Sequence, residues 1–130
     1  MKKIRVLVVD NDEMVRITLT HYLNASQKIE ILGTASDGLE AVNETARLFP
    51  DIVIMDLQMP VMDGLEATRK IKKSNPRVKV IMLSNFSDPN TAQEAIDSGA
   101  TCSISKGAPL DELVAAILQF CQPTPHVALI

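Results

Sequence analysis

The stretch DIVIMDLQMPVMDG, residues 51–64, decides the fold. Its apolar run, residues 52–55, contains no polar residue, which is typical of a strand buried on both faces of a sheet. The run ends abruptly at Asp56, and the Asp63-Gly64 pair then indicates a turn or a helix boundary. The stretch therefore predicts a buried strand that leads through a polar loop into a helix.

Four further apolar, β-branched runs lie on either side of this stretch, at residues 4–9, 29–35, 78–83 and 101–105. Between the runs, apolar residues recur at helical spacing, with the least periodic helix at about residues 89–98. The other four helical faces are Val15, Leu19, Tyr22 and Leu23; Leu39, Val42, Ala46 and Phe49; Met62, Leu65, Thr68 and Ile71; and Leu110, Leu113, Val114, Ile117 and Phe120. Five strand–helix repeats predict an α/β fold, a doubly wound parallel five-stranded sheet with helices on both faces.

Composition excludes several functional classes. The chain has 130 residues, the size of one domain, and its net charge of −3 argues against direct nucleic-acid binding. Its two cysteines, Cys102 and Cys121, lack the spacing of a metal or disulfide framework and suggest reduced thiols in a cytoplasmic protein. No apolar run approaches the length of a membrane span, and the apolar run after the basic start is too short for a signal peptide and ends in acids.

Polar residues gather where the predicted strands end, which is where open parallel sheets bind ligands. Clustered carboxylates repel one another, and a hard cation such as Mg²⁺ relieves that repulsion through oxygen ligands. A hydroxyl and a lysine supply what the oxygens of a phosphoryl group need. The pattern predicts a Mg²⁺-assisted phosphoryl site built from these strand ends: Asp10, Asn11 and Asp12; Ser36 and Asp37; Asp56; Ser84 and Asn85; Ser105 and Lys106.

Each of these residues also has an ordinary structural interpretation. An aspartate after a strand is most often a helix N-cap, and Ser84 or Lys106 alone would be a turn residue or a solvated charge. Their joint occurrence at alternate strand ends favours a functional site. Other kinds of phosphate site are poorly supported, since the chain contains neither of the glycine-rich nucleotide-binding motifs, G-x-x-x-x-G-K-[ST] and G-x-G-x-x-G.

Four motifs resemble the bacterial response-regulator receiver domain of two-component phosphorelays. They are VLVVDNDEMVR at residues 6–16, DIVIMDLQMPVMDG at 51–64, VIMLSN at 80–85 and GATCSISK at 99–106. The resemblance implies a flavodoxin-like sheet with the strand order 2-1-3-4-5. It also implies a receiver domain over residues 1–122 and a C-terminal tail or linker start over 123–130.

The resemblance implies roles for individual residues. Asp56 matches the phosphoacceptor, which takes a phosphoryl group from a sensor histidine kinase or a phosphotransfer protein. Asp10 and Asn11 match the acidic pair that holds Mg²⁺ together with Asp56, and the backbone carbonyl of Gln58 matches a further ligand.

Two further matches concern signalling. Ser84 matches the switch hydroxyl and Lys106 the lysine that pairs with the phosphate. Phosphorylation would reshape the face formed by helix 4, strand 5 and helix 5, which would contact an output protein or domain and is a surface for a homodimer. The resemblance implies no membrane contact and no enzyme activity beyond self-catalysed phosphorylation and dephosphorylation.

The sequence departs from the family pattern at three positions. Asn11 replaces the usual second acid, so Mg²⁺ affinity is expected to fall unless Asp12 compensates. Ser103 replaces the usual aromatic switch residue, and Gly107 stands where many members have proline. Gln58 and Phe86 match positions that influence the access of water and predict a long-lived phosphoryl-aspartate, which weak metal binding through Asn11 would make slow to form.

Alternatives remain open at this stage. The chain is either a stand-alone receiver, which we favour, or a receiver from a longer regulator. Asn11 and Ser103 also fit a receiver-like binding module that is not phosphorylated. A more distant hypothesis is a haloacid-dehalogenase-type phosphatase with Asp10 as the nucleophile and Asp12 as the general acid, in which Asp56 would have no role.

Overall fold

Five strands alternate with five helices in a computed structural model that describes residues 2–85 and 89–120. Phe86, Cys121 and the proposed tail at 123–130 lie outside the described residues. The elements are β1 Ile4–Val9, α1 Glu13–Asn24, β2 Ile29–Ala35, α2 Gly38–Leu48, β3 Ile52–Asp56, α3 Gly64–Ser74, β4 Lys79–Ser84, α4 Pro89–Asp97, β5 Cys102–Ser105 and α5 Leu110–Phe120. Within the described ranges, no helix is long and apolar enough to cross a membrane.

The predicted topology is confirmed. All four strand pairings are parallel, and the strands lie in the order β2-β1-β3-β4-β5. Strands β3 and β4 each end one residue later than predicted, because Asp56 pairs with Leu83 and Ser84 pairs with Ser105 in the ladder. The ladder thereby carries polar residues to the carboxyl edge of the sheet.

Two apolar cores lie on opposite faces of the sheet, as alternate strand residues require. In β1, Val6 and Val8 join the core under α1 and α5, whereas Leu7 and Val9 join the core under α2, α3 and α4. This arrangement explains why β1 is an uninterrupted apolar run rather than an alternating one.

The predicted buried face of α2 is wrong except at Val42, which packs partly buried against the core. Leu39, Ala46 and Phe49 are exposed, and the helix instead buries Ala41 and Thr45. Both rows have helical spacing, and the row of small residues is the one that faces the sheet. The helix also ends at Leu48, so Phe49 lies beyond it in a left-handed conformation.

Two glycines fix the loop between β3 and α3 at close quarters. A Cβ on Gly64 would lie 2.3 Å from the carbonyl oxygen of Asp56, and one on Gly38 would lie 2.2 Å from that of Met62. The Gly38 N–H donates a hydrogen bond of 3.0 Å to the same Met62 oxygen. Because these positions carry no side chain, the loop after Asp56 can pack closely against α2.

Gly64→Ala is expected to lower the free energy of unfolding by about 2 kcal/mol or more, because the new Cβ collides with backbone that cannot turn aside. Urea denaturation would measure the change. Gly33→Ala is the matched control, since its Cβ would make an ordinary contact, 3.6 Å from Leu48 Cδ1. Equal effects of the two substitutions would contradict the close approach.

Candidate functional site

Two carboxylates and one ammonium meet at the carboxyl edge of the sheet. Asp10 follows β1, Asp56 ends β3, and Lys106 follows β5. The Lys106 Nζ lies 2.8 Å from Asp10 Oδ2 and 3.1 Å from Asp56 Oδ1. The structure thus brings together three of the residues predicted from sequence, with the lysine bridging both acids.

Asp10 is fully buried and is held by its own loop. Its Oδ1 accepts a hydrogen bond of 2.9 Å from the Asp12 N–H, and its backbone N–H donates to the Ala35 carbonyl at 3.0 Å. Its own carbonyl accepts from Arg16 Nη1 at 2.7 Å. Asp10 Oδ1 is therefore committed to the loop, and Oδ2 faces Lys106.

Burial raises the pKa of Asp56, and the charge on the neighbouring Asp10 raises it further. Hydrogen bonding and attraction to Lys106, together with a backbone hydrogen bond from Gln58, lower the pKa but do not cancel the increase. Asp56 is only 3% exposed. Its carboxylate is consequently a poorly solvated anion, which is the form that gains most from a nearby cation.

Lys106 carries its full positive charge in this setting. Burial alone would lower its pKa, but hydrogen bonds and attraction to Asp10 and Asp56 outweigh burial and raise it. Its backbone N–H donates to the Ser84 carbonyl at 2.8 Å, which ties the end of β5 to the end of β4. Ser84 itself is buried at the same edge.

The remaining predicted ligands lie on the surface. Asn11 and Gln58 are both exposed, one after β1 and the other after β3. Asp12 is the N-cap of α1 and accepts a hydrogen bond of 2.9 Å from the Met14 N–H. One of its carboxylate oxygens is therefore engaged in capping, which weakens the expectation that it replaces the missing acid at position 11.

The oxygen atoms at this site fit Mg²⁺, but few of them carry negative charge. Among the described residues, no group of three or more His, Cys, Asp or Glu side chains could hold a metal ion. Asp10 and Asp56 supply only oxygen, and Mg²⁺ accepts one or two carboxylates with water completing its shell. The side chains present thus suit a magnesium ion held by two carboxylates and neutral oxygens.

Sequence reasoning missed Arg16, which fixes the loop after β1 through the carbonyl of Asp10. Its position one helical turn after the Asp12 cap was the available signal. Ser103, which stands in place of the family's aromatic switch residue, is half-buried within β5. Gly107 donates its N–H to Ser105 Oγ at 3.2 Å.

An apolar cavity of about 260 Å³ lies beside Lys106, between α1 and the start of α5. Met14, Val15 and Leu110 are among the residues that line it, and Met14 is 66% exposed. The site therefore has an apolar wall on the α1 side.

Comparison with known proteins gives consistent matches. Residues 6–118 match the family model of the response regulator receiver domain. The response regulator protein VraR of Staphylococcus epidermidis is 40% identical over 114 residues, which are 88% of this chain and 54% of that protein. The chain thus spans about half the length of the curated relatives that it matches.

Solved structures agree with the sequence matches. The response regulator domain of Thermotoga maritima CheB superposes with a TM-score of 0.85 at 34% identity, covering 94% of this chain and 100% of that one. CheY in a CheX–CheY–BeF3–Mg²⁺ complex from Borrelia burgdorferi gives a TM-score of 0.87 at 26% identity, covering 94% of this chain and 92% of that one.

Asp56→Asn is expected to raise the free energy of unfolding at pH 7, because the raised pKa of Asp56 means that folding disfavours its ionised form. The gain should shrink as the pH falls through the raised folded-state pKa. It should vanish below the ordinary value of 3.8, where Asp56 is protonated in both states. Chemical denaturation at several pH values would measure this, with the exposed Glu30→Gln as control. A loss of stability at pH 7 would show that pairing with Lys106 outweighs burial.

Proposed function

The chain belongs to the response-regulator receiver family of two-component systems, and from that membership we propose that Asp56 accepts a phosphoryl group from a histidine kinase or a phosphotransfer protein. The observation that carries the proposal is the Lys106 ammonium, which bridges Asp10 and Asp56 at the carboxyl edge. A buried acid with a raised pKa and an adjacent fixed cation is typical of a functional carboxylate.

The proposed transfer places Asp56 as the nucleophile. One of its carboxylate oxygens attacks phosphorus, and the bond from phosphorus to the imidazole nitrogen of the donor histidine breaks. The electron pair stays on that nitrogen, and the product is an aspartyl phosphate. Lys106 then donates to a phosphoryl oxygen in place of the Asp56 oxygen that it contacts at rest.

Magnesium would be held by Asp10 and Asp56, with the Gln58 carbonyl and the Asn11 amide oxygen as neutral ligands. When bound, the ion neutralises charge on the transferring phosphoryl group. Because Asn11 is neutral, these residues bring fewer negative charges to the ion than an acidic pair would. We propose that the affinity for Mg²⁺ is correspondingly lower.

Phosphorylation is proposed to change the face formed by α4, β5 and α5. Ser84 would move toward a phosphoryl oxygen, and its link to Lys106 through the backbone would transmit the change to β5. Ser103 cannot make the aromatic rotamer change of the family, so the output depends on α4. A homodimer through this face is one proposed output state.

The apolar cavity beside Lys106 supports docking of the phosphodonor on the α1 side. A donor histidine must approach Asp56 along the carboxyl edge, and the exposed Met14 and the cavity flank that approach. We place this exchange in the cytoplasm, on the ground of the family. The output partner is a separate protein or a further domain beyond the proposed boundary at residue 122.

The family assignment leaves the phosphatase alternative without support, because Asp56 is buried and contacts Lys106 beside Asp10, and Asp12 caps α1. We propose no enzymatic activity on other substrates, only self-catalysed phosphorylation and dephosphorylation. Gln58, exposed next to the site, is proposed to slow hydrolysis by covering the phosphoryl group. The binding-module alternative rests on Asn11 and Ser103 and is decided by the labelling experiment below.

Incubation with acetyl phosphate and Mg²⁺ is expected to add the mass of one phosphoryl group to the wild-type chain. Asp56→Asn should abolish the gain, because it removes the nucleophile. Intact mass spectrometry measures both, with Asp111→Asn as the control for an exposed acid at the same edge. Labelling that survives Asp56→Asn but not Asp10→Asn would favour the phosphatase, and no labelling of the wild type would favour the binding module.

Asn11→Asp is expected to tighten Mg²⁺ binding by about tenfold and to speed phosphorylation, because it adds a carboxylate to the site. Calorimetric titration of the unphosphorylated chain measures the affinity without reference to phosphorylation. Asn43→Asp, which adds the same charge at an exposed position of α2, is the control. Equal affinity of wild type and Asn11→Asp would show that residue 11 is not a ligand.

A further inference from the structure

Phe49 combines two unfavourable properties at one position. Its backbone is left-handed, with φ 51° and ψ 58°, a region that a residue with a Cβ adopts reluctantly. Its side chain is 63% exposed. Glycine or asparagine is the usual choice at such a helix end. The aromatic ring therefore contributes little to the packing of the chain itself.

The position of Phe49 is nevertheless fixed. Its N–H donates to the Thr45 carbonyl at 3.0 Å, and its own carbonyl accepts from Arg5 Nη1 at 2.7 Å. Arg5 Nη2 also donates to the Leu48 carbonyl at 2.8 Å. These hydrogen bonds already hold the backbone of Phe49, so the backbone loses little conformational freedom when the ring binds a partner. Such a position suits an interface anchor.

Exposed basic residues share the amino edge of the sheet with Phe49, opposite Asp56. They precede β1, β2 and β4 or end α3, whose C-terminus lies at the same edge as that of α2 because the two helices are parallel. None of them forms an ion pair within residues 2–85 and 89–120. We call this the amino-edge surface: Phe49, Lys2, Lys3, Lys28, Lys73 and Arg77.

Helix dipoles explain only part of this charge. Lys73 lies in the last turn of α3, where a cation is favourable. Lys2, Lys3 and Lys28 precede strands, so no helix C-terminus accounts for them. Their unpaired charge is available to an acidic partner.

We propose that the amino-edge surface docks a protein partner that presents an apolar pocket for Phe49 flanked by carboxylates. In protein interfaces, much of the binding energy commonly comes from a buried aromatic anchor that is surrounded by a rim of charged residues. Because this edge lies opposite Asp56, docking goes beyond the proposed phosphoryl transfer and does not depend on it.

The mixed character of the surface favours a protein over other anions. Exposed Asp51 lies close to Phe49 in the chain and interrupts the continuous positive charge that a long polyanion such as DNA would follow. A bilayer would need several apolar side chains at this edge, whereas one ring fits one pocket.

The test begins with a random peptide display library, selected on the wild-type chain and counter-selected on Phe49→Asn. Enriched peptides are expected to carry an apolar residue between Asp or Glu residues. For a synthesised peptide, fluorescence anisotropy should show binding about 30-fold weaker with Phe49→Asn. Lys73→Gln with Arg77→Gln should weaken binding severalfold, whereas Asn43→Asp with Asn90→Asp, the same change in net charge, should not.

Stability separates docking from a structural role. Asparagine tolerates the left-handed backbone, so Phe49→Asn should leave the Tm unchanged or higher, and Asp56 labelling should be unaffected. A large fall in Tm would overturn the proposal, because the ring would then be part of the fold. It is also overturned if no selected peptide depends on Phe49, if the enriched peptides lack acids, or if a DNA duplex or anionic phosphatidylglycerol vesicles show the same Phe49-dependent binding instead.

Discussion

The Lys106 ammonium between Asp10 and Asp56 is the contact on which the rest of the site depends. Both carboxylates are buried, and each would repel the other without an intervening cation. The lysine satisfies both acids at 2.8 and 3.1 Å. Such a triad needs an exact strand register, because its members come from three strands that are distant in sequence.

The sheet supplies that register. Parallel pairing places the ends of β1, β3, β4 and β5 at one edge, and Asp56 is still part of the ladder opposite Leu83. The loop after Asp56 is then held down, because the Leu57 N–H donates to the Leu83 carbonyl and Gly64 approaches the Asp56 backbone closely. The end of β3 at Asp56 is thus held by its neighbours, while the residues proposed to change lie on the α4 side.

Strand positions and the meeting of Asp10, Asp56 and Lys106 at one edge were predictable because they leave strong local signals. The strand signal given by an uninterrupted apolar run that ends in an acid depends little on tertiary context, as residues 52–56 show. The buried face of α2 was not predictable, since two rows of residues share helical spacing and only the sheet decides between them. The roles of Arg16 and Asp12 depend on backbone hydrogen bonds that no periodicity reveals.

We expect the Lys106 ammonium to exchange its contact with the Asp56 carboxylate for a contact with a phosphoryl oxygen when Asp56 is phosphorylated. NMR of the lysine ammonium groups, with Lys106 assigned by substitution, measures this directly on adding Mg²⁺ and beryllium trifluoride. The Lys106 signal is expected to shift in the wild-type chain and not in Asp56→Asn. An unchanged Lys106 signal in the wild type, or the same shift in both proteins, would contradict it.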